Sequence, residues 1–371
     1  MSERTDGLPE STPEGQPPTG RTSTVTPSGE TVEVPPVDEH TRIEEAAAAA
    51  GTARQPSWTV GRLSEVRNLG LVGVLVLLGI VGVLTTDGQF LTSSNIINIL
   101  VSASIIGVVT VGMTFVIIGG GIDLSVGALV ALASVWATTL QTQSYGWFIM
   151  VVTALLVGMG AGLINGVLIA YGRLVPFIVT LAMLVSARGL AQAMSDRRTQ
   201  LVTVREITNI ATTEWLGIPL LVYLFAAVVV VGWLVLNRTT FGRRTFAVGG
   251  NSEAARLAGI DVKRHTALLY VLSGLCCGIA AVMIMARTTT GSSTHGDLYE
   301  LDAIAAVIIG GTLLTGGRGT LIGSVLGVLV FTTITNLFVL NNLASDVQNI
   351  AKGLIIIAAV LLQRRSKSAG P

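Results

Sequence analysis

The chain has 371 residues, of which 50% are hydrophobic, 12% are charged and 43 are glycine. A soluble domain could not hide so large an apolar fraction from water, so this composition excludes a soluble protein and predicts a membrane-embedded one. The formal net charge of +1 gives no reason to expect a nucleic acid as a partner.

Residues 1–66 differ in composition from the rest of the chain. Pro, Thr, Ser, Gly and Glu dominate there, and the first aromatic residue is Trp58. Such a segment buries too little apolar surface to offset the entropy that is lost on ordering. We therefore predict a disordered tail, with at most a helical turn at Glu44–Ala50.

About ten apolar segments follow, and most are long enough to cross a hydrocarbon layer of about 30 Å. Between residues 69 and 186 the only charged side chains are Asp87, Asp123 and Arg173. We predict an all-α polytopic membrane protein whose transmembrane domain spans residues 67–363. The segments are 69–86, 95–118, 122–140, 147–170, 175–194, 218–236, 265–286, 301–315, 319–340 and 346–362.

Lys and Arg residues cluster on one side of this arrangement. They precede the first segment, follow the fourth and the last, and fill the 237–264 loop between the sixth and seventh. Because short cytoplasmic loops carry an excess of Lys and Arg, we predict that this loop, the N-terminal tail and the tail at 364–371 are cytoplasmic. The exceptions are Arg197, Arg198 and Arg205, predicted outside, where acidic neighbours balance them.

A glycine pattern occurs twice within the apolar region. Gly120 and Gly121 are followed by Gly127, just as Gly316 and Gly317 are followed by Gly323, and each pattern separates two apolar runs. Gly-interrupted helices at matched positions are typical of transporters built from inverted repeats. We predict such a repeat, with its copies in opposite orientations. The alternative is chance recurrence in a Gly-rich protein.

The first copy of this pattern contains a carboxylate. Gly119–Gly121 should break the helix and expose backbone groups, and Asp123 and Ser125 follow at once. A carboxylate within the membrane is costly unless it caps a helix or faces a wet cavity. Asp123 is therefore either an N-cap of the next helix or a residue of the solute path, and the two roles are compatible.

Four other polar side chains interrupt the apolar segments. Glu300 and Asp302 begin the eighth segment; they either line the outer mouth, receive a basic partner, or form a solvated helix N-terminus. Asn165 lies in a Gly-rich run, where interhelical packing is favoured over solute contact. Lys352 should extend outward to the membrane surface.

No residue pattern predicts catalysis or metal binding. Cys276 and Cys277 are adjacent on a helix and are expected to be packing residues rather than a disulfide. His40, His265 and His295 lie far apart in sequence, without ligands at metal-binding spacing. A phosphate-binding glycine loop and a nucleophile with a base at recognisable spacing are both absent from the sequence. We therefore expect a protein that is not an enzyme and has no cofactor.

A charged, Ala-rich segment at 248–261 lies between two long apolar stretches and has a glycine on either side. Its residues have high helix propensity, and a short helix held between two spanning helices can move both. We predict that it docks onto a soluble motor protein. The residues expected at this contact are Asn251, Glu253, Ala254, Ala255, Arg256 and Gly259.

Several of these stretches, in order over about 70–362, resemble the permease subunits of ribose/xylose-type ATP-binding-cassette (ABC) monosaccharide importers. The matching stretches are Gly121–Gly127, Val175–Leu181, Arg188–Gly189, Asn237–Thr239, Phe241–Arg243, Gly249–Asn251, Ala254–Ile260, Tyr299–Val307 and Gly316–Gly319. The long N-terminal tail departs from the family.

The resemblance implies a complex in the inner or plasma membrane. Two permease subunits, expected to be a homodimer, would form the path for a monosaccharide such as ribose or xylose. Two ATP-binding subunits would bind ATP, an extracytoplasmic protein would deliver the sugar, and residues 251–260 would be the coupling helix. From the glycine and polar patterns described above, independently of the resemblance, we predict that the translocation path and helix breaks comprise Gly120, Gly121, Asp123, Ser125, Asn165, Glu300, Asp302, Gly316 and Gly317. The alternatives are an ABC permease for branched-chain amino acids and a secondary transporter or channel that works without an ATPase.

Overall fold

The structure is a computed structural model that describes residues 23–25, 31–33 and 57–368, and the side chains of residues 68–361. The chain divides into residues 1–60 and residues 61–371. In the first unit, strands β1 (Ser23–Val25) and β2 (Thr31–Glu33) pair in antiparallel fashion. The disorder predicted for residues 1–66 as a whole stays a prediction. The helical turn predicted at 44–50 lies outside the described residues.

Each predicted apolar segment forms a helix. The longer helices are α1 (Ser57–Thr85), α2 (Ser93–Ile118), α3 (Val126–Ala137), α5 (Trp147–Ala170), α6 (Pro176–Met194), α8 (Leu220–Arg238), α11 (Val262–Thr288), α12 (Tyr299–Ile309), α13 (Leu321–Leu340) and α14 (Ser345–Ser368). The shorter elements are α4 (Leu140–Ser144), β3 (Gln200–Leu201), α7 (Arg205–Thr212), β4 (Glu214–Trp215), β5 (Ile218–Pro219), α9 (Thr240–Gly250), α10 (Ser252–Leu257) and β6 (Thr290–Gly291).

Seven helices within the described part are long and apolar enough to cross a membrane. They are α1, α2, α5, α6, α8, α11 and α13. The prediction of an all-α polytopic membrane protein is confirmed, whereas the count of ten crossings stays a prediction. Both predicted domain boundaries fall inside helices, because α1 begins before residue 66 and α14 continues past residue 363.

Helix α2 lies at the centre of the bundle. Of its most apolar stretch of 18 residues, 89% is buried, whereas the corresponding share for α1 is 11%. Helices α5 and α11 pack backbone to backbone: a Cβ on Gly158 would overlap the carbonyl oxygen of Gly274, and a Cβ on Gly162 would overlap that of Tyr270. Small residues allow this close approach, which membrane helices use in place of a hydrophobic driving force.

The two ends of the bundle carry different structures. The glycine end carries Gly119–Gly121, Gly249–Gly250 and Gly316–Gly317, which contact one another. The strand end carries β3 and β6, paired in antiparallel fashion with Gln200 opposite Gly291. Helices α9 and α10 lie at the glycine end, directly after α8.

The two glycine-broken copies run in the same direction. Asn95 near the start of α2 bonds Asn336 near the end of α13, so these helices are antiparallel. Gly310, just after the end of α12, contacts Gly323 at the start of α13, so α12 and α13 are antiparallel too. Helix α12 therefore runs parallel to α2, which corrects the predicted opposite orientation. The physical reason is that α2 and α12 both lead into the glycine end, where their breaks contact each other.

The predicted 237–264 loop contains helices α9 and α10. Helix α9 was missed because its glycines lower helix propensity, but the fold requires one of them: a Cβ on Gly242 would overlap the carbonyl oxygen of Leu236. The Thr239 hydroxyl accepts a hydrogen bond from the Gly242 amide at 3.4 Å and caps the new helix. The docking helix is consequently shorter than predicted.

Candidate functional site

Helix α10 is defined at both ends by its own sequence. The Asn251 side-chain oxygen accepts hydrogen bonds from the amides of Glu253 at 3.1 Å and Ala254 at 2.9 Å, which caps the N-terminus. Gly259, with φ of +84°, follows the C-terminus in the left-handed conformation. Both ends therefore stop the helix sharply, and it forms a separate rigid element.

Most of this helix faces outward. Glu253 and Arg256 form an ion pair of 2.6 Å, with side chains 66% and 63% exposed, and Leu257 is 75% exposed. Arg256 lowers the pKa of Glu253, mainly by hydrogen bonding, so the pair stays charged near neutral pH. Ala254 is exposed, but Ala255 is buried against the chain itself and offers no surface to a partner.

Behind this helix, three glycine segments contact one another through their backbones. A Cβ on Gly249 would overlap the carbonyl oxygen of Ile118, at the end of α2. A Cβ on Gly316 would lie 2.7 Å from the Gly249 carbonyl oxygen and 2.9 Å from the Gly120 Cα. The Gly317 amide donates to Ile118 O at 2.8 Å. This glycine cluster joins both helix breaks to the end of α9.

A cleft of about 400 Å³ opens beside the cluster. Gly119–Gly121, Val248–Ser252 and Tyr270 form part of its wall. The predicted break residues Gly120 and Gly121 therefore lie within one cleft with the N-cap of α10. The structure thus places Gly249 and Gly250, which directly precede the N-cap of α10, in contact with both predicted helix breaks.

Asp123 lies in a closed hydrogen-bond network. One carboxylate oxygen accepts from the Ser125 amide at 3.0 Å and the Ser125 hydroxyl at 2.6 Å; the other accepts from the Ser273 hydroxyl at 2.8 Å. The Asp123 side chain is fully buried. The N-cap position of α3 is Ser125, and no side chain caps the helix amides, so Asp123 is not the predicted N-cap but holds Ser125 just before the helix. Its burial leaves no exposed surface for a solute.

Asn165 extends the same network from α5. Its side-chain amide donates to the Ser125 hydroxyl at 2.9 Å, and the residue is fully buried. The side-chain oxygen of Asn165 is buried without a hydrogen-bond partner. Asn165 therefore connects α5 to the first break, as an interhelical contact would.

Asp302 and Lys352 form an ion pair within the bundle. Their side chains are 7% and 17% exposed, the Lys352 nitrogen lies 3.3 Å from the Asp302 carboxylate, and it also lies 5.5 Å from the centre of the Phe331 ring. Lys352 thus turns inward, which corrects its predicted outward extension. Asp302 receives a basic partner and is not part of a solvated helix N-terminus.

Glu300 lies two residues before Asp302, at the start of α12. It is half-buried, and one of its carboxylate oxygens is buried without a hydrogen-bond partner. A Cβ on Gly127 would lie 2.5 Å from that oxygen, so Glu300 approaches the start of α3. Glu300 and Asp302 therefore do not act as one acidic cluster.

One polar contact was missed by the sequence analysis. The Arg188 guanidinium on α6 donates to the carbonyl oxygens of Ser293 at 2.6 Å and His295 at 2.8 Å, and forms a 2.8 Å ion pair with Asp297. Arg188 had entered only through the family resemblance. The available signal was an arginine inside an apolar segment, where charge is costly and usually functional.

Within the described part of the chain, no group of three or more His, Cys, Asp and Glu side chains could hold a metal ion. His265 bonds the Thr245 hydroxyl, and His295 bonds the Ser134 hydroxyl. Cys276 and Cys277 are buried free thiols. His265 and His295 therefore have structural partners on neighbouring helices, and His40 lies outside the described residues.

A helical membrane bundle with broken helices and internal polar contacts is typical of membrane transport permeases. The comparisons with known proteins give the family. Residues 95–360 match the family described as "Branched-chain amino acid transport system / permease component", to which this chain belongs.

Three relatives illustrate the range of similarity. The ribose import permease of Bacillus subtilis is 40% identical over 300 residues, which cover 80% of this chain and 92% of the relative. The corresponding permease of Escherichia coli K12 is 36% identical over 303 residues, covering 80% and 93%. The L-arabinose transport system permease of the same strain is 35% identical over 258 residues, covering 70% and 79%. No solved structure matches the chain.

These comparisons confirm the predicted family and its placement in the membrane. They also confirm that the chain is not an enzyme, because the family and these relatives are transport permeases. The residues that match the family, 95–360, include both helix breaks and helix α10. The roles of individual residues at these sites stay predictions.

Proposed function

We propose that the chain forms the translocation path of an ABC importer for a monosaccharide of the pentose type. The relatives named for ribose and L-arabinose support this solute class. The observation that carries the proposal is the exposed helix α10 attached directly to the glycine cluster, because a driven transporter needs a rigid element that a motor can push. Neither an autonomous channel nor a secondary transporter needs such an element.

The partners of this permease are an ATPase and an extracytoplasmic sugar-binding protein. The finer assembly is part of the proposal: two copies of this chain, two ATPase subunits, and the glycine end on the cytoplasmic side. The Lys and Arg excess near α9 and α10 supports that orientation. Both chain termini are then cytoplasmic, and the strand end faces the binding protein.

ATP acts through differential binding to two conformations of the complex. A ligand shifts an equilibrium only to the extent that it binds one state better. ATP-driven closure of the motor pair therefore favours one orientation of the permease pair, and hydrolysis with product release favours the other. The permease needs no catalytic group of its own in this cycle.

The glycine cluster provides the physical route from motor to path. Helix α10 continues from Gly249 and Gly250, whose backbones touch Ile118, Gly316 and Gly317. Helix α9 is also bonded to α11 through the Thr245 hydroxyl and His265 at 2.9 Å. Displacement of α10 consequently moves the ends of both broken helices, because no side chains lie between these backbones to absorb it.

The test is reconstitution of the complete complex in proteoliposomes with ATP enclosed. Uptake of labelled ribose, L-arabinose and leucine is measured, each with a binding protein purified from the same cells. We expect ATP-dependent uptake of a pentose and none of leucine. Uptake of leucine alone would instead support an amino-acid permease. Pentose uptake that does not depend on ATP would support a secondary transporter or channel.

A further inference from the structure

Residues 290–298, the re-entrant segment, turn back into the bundle from the strand end. Gly291 packs against the Thr138 hydroxyl beyond the end of α3, and Gly296 packs against the backbone of Gly127 near its start. Between them, His295 lies 3.2 Å from the Ser134 hydroxyl. At 1.5 Å per helical residue, this path along α3 takes the segment about 15 Å into the bundle.

Part of this segment is exposed, both at Thr294 on the way in and at Asp297 beside its deepest point. Ser293 and His295 are buried, whereas Thr294 is exposed and the Asp297 side chain is 62% exposed. The side chain of Arg188, which forms the ion pair with Asp297, is 18% exposed. Irregular backbone at membrane depth occurs only where protein covers it or where it lines water, and an exposed carboxylate is equally excluded from acyl chains. This face of the bundle therefore does not contact lipid.

The surface of α8 is a contrast at comparable depth. Val230 and Val231, near the middle of α8, are 56% and 58% exposed. That surface is apolar and suits acyl chains. The polar character of the re-entrant segment is therefore a local property of one face.

The backbone at both ends of the segment is strained. Thr289 and Leu298 have φ values of 55° and 63°, in the left-handed region that disfavours residues other than glycine. Such conformations persist where surrounding contacts impose them, and they concentrate at functional sites. Here the contacts of Arg188 to Ser293 and His295 hold the segment between its two strained ends.

We propose that the re-entrant segment lines the water-filled path and that Arg188 and Asp297 contact the hydroxyl groups of the passing sugar. This proposal rests on the proposed function. The ion pair is neutral overall, which suits an uncharged solute, and the exposed Asp297 carboxylate retains acceptor positions beyond its bond to Arg188. The partly exposed pair can exchange hydrogen bonds with hydroxyls without leaving a buried charge unpaired.

The first test measures water access at single cysteines in the assembled complex. Thr294→Cys is compared with Val230→Cys for reaction with a charged, membrane-impermeant methanethiosulfonate. Cys276 and Cys277 are 3% and 1% exposed, so the unmodified chain gives the background rate. We expect Thr294→Cys to react at least about tenfold faster than Val230→Cys, because the reactive thiolate forms only in contact with water. Equal rates would overturn the assignment to a wet path.

The second test separates solute contact from mere water access. We expect Asp297→Asn to raise the KM for pentose uptake about tenfold, with a smaller change in maximal rate, since one tenfold step corresponds to the loss of a single hydrogen bond to a charged group. An unchanged KM would overturn the solute contact. Failure of the proposed function is seen separately, because the unmodified complex would then transport no pentose although Thr294→Cys would still react quickly.

Discussion

Two polar regions lie deep in the bundle and differ in what surrounds them. Asp123, Ser125, Asn165 and Ser273 are all fully buried and bond one another. The Asp297 side chain in the re-entrant segment, by contrast, is 62% exposed. A carboxylate inside the bundle thus marks an enclosed structural network as readily as an exposed polar surface, and only packing distinguishes the two.

This difference in exposure predicts that one polar region contributes mainly to stability and the other mainly to transport. Substitutions in enclosed polar groups should cost folding free energy, because they leave buried partners unpaired. Substitutions in exposed polar groups should leave stability nearly intact and alter transport instead. The same contrast applies at the glycine end, where Gly249 is enclosed and the Glu253–Arg256 pair is exposed.

The largest loss of stability is expected for Lys352→Met. It leaves the Asp302 carboxylate buried without its partner, and breaking a buried pair in this way costs about 3–5 kcal/mol. Thermal unfolding of the purified protein in detergent measures the loss. The double variant Asp302→Asn with Lys352→Met should recover most of it, and additive losses would show that the two side chains do not interact.

A smaller loss is expected for Asp123→Ala. The Ser125 amide then loses its acceptor, which costs about 1–3 kcal/mol, whereas the Ser125 and Ser273 hydroxyls can rotate toward other acceptors. Asp123→Asn should be milder, because its side-chain oxygen can still accept from Ser125 while its amide donates to the Ser273 hydroxyl. If Asp123→Asn folds normally and yet abolishes uptake, the carboxylate has a direct role in transport.

Asp297→Ala should change stability by less than about 1 kcal/mol, since the Asp297 side chain is largely exposed and Arg188 keeps its hydrogen bonds to the Ser293 and His295 carbonyl oxygens. The substitution should instead alter the uptake of pentose by the assembled complex. Comparison of its thermal unfolding with that of Asp123→Ala, in the same detergent, sharpens the contrast between the two polar regions. Equal losses of stability in the two variants would remove that contrast.

The smallest effect on stability is expected for Glu253→Ala with Arg256→Ala. Both side chains are exposed, so membrane insertion and thermal unfolding should not change measurably. Solute-stimulated ATP hydrolysis by the assembled complex should fall, because the outer surface of α10 is altered. Arg264→Ala, an exposed change beyond the docking helix, is the matched control. Normal stimulation in the double variant would contradict the docking role of α10.

The sequence predicted the helices well but not their directions. Long uncharged runs such as 95–118 leave little choice but a membrane-embedded helix, and each of the predicted runs is helical in the structure. The direction of the glycine-broken copies depends on contacts such as that between Asn95 and Asn336, far apart in sequence. Periodicity and composition carry no information about such pairs.

The polar sites were predicted from residue type, which identified the ends of α10 but missed the re-entrant segment. Asn251 and Gly259 are local helix-end signals, and both lie at the ends of α10. The re-entrant segment was missed because Ser, Thr, Gly, His and Asp in a row are typical of a surface loop. Its depth depends on Gly296 packing against Gly127, a contact that local sequence does not encode.

The central claim is that movement of α10 reaches both helix breaks through backbone contact at Gly249. Gly249→Ala and its neighbour Gly250→Ala form a matched pair, because a Cβ on Gly249 would overlap Ile118 O, whereas a Cβ on Gly250 would have nothing within 4 Å. The measurement is pentose uptake per ATP hydrolysed in proteoliposomes that contain equal amounts of folded complex. The account predicts a large loss for Gly249→Ala and a normal ratio for Gly250→Ala. Equal ratios in the two variants would contradict it.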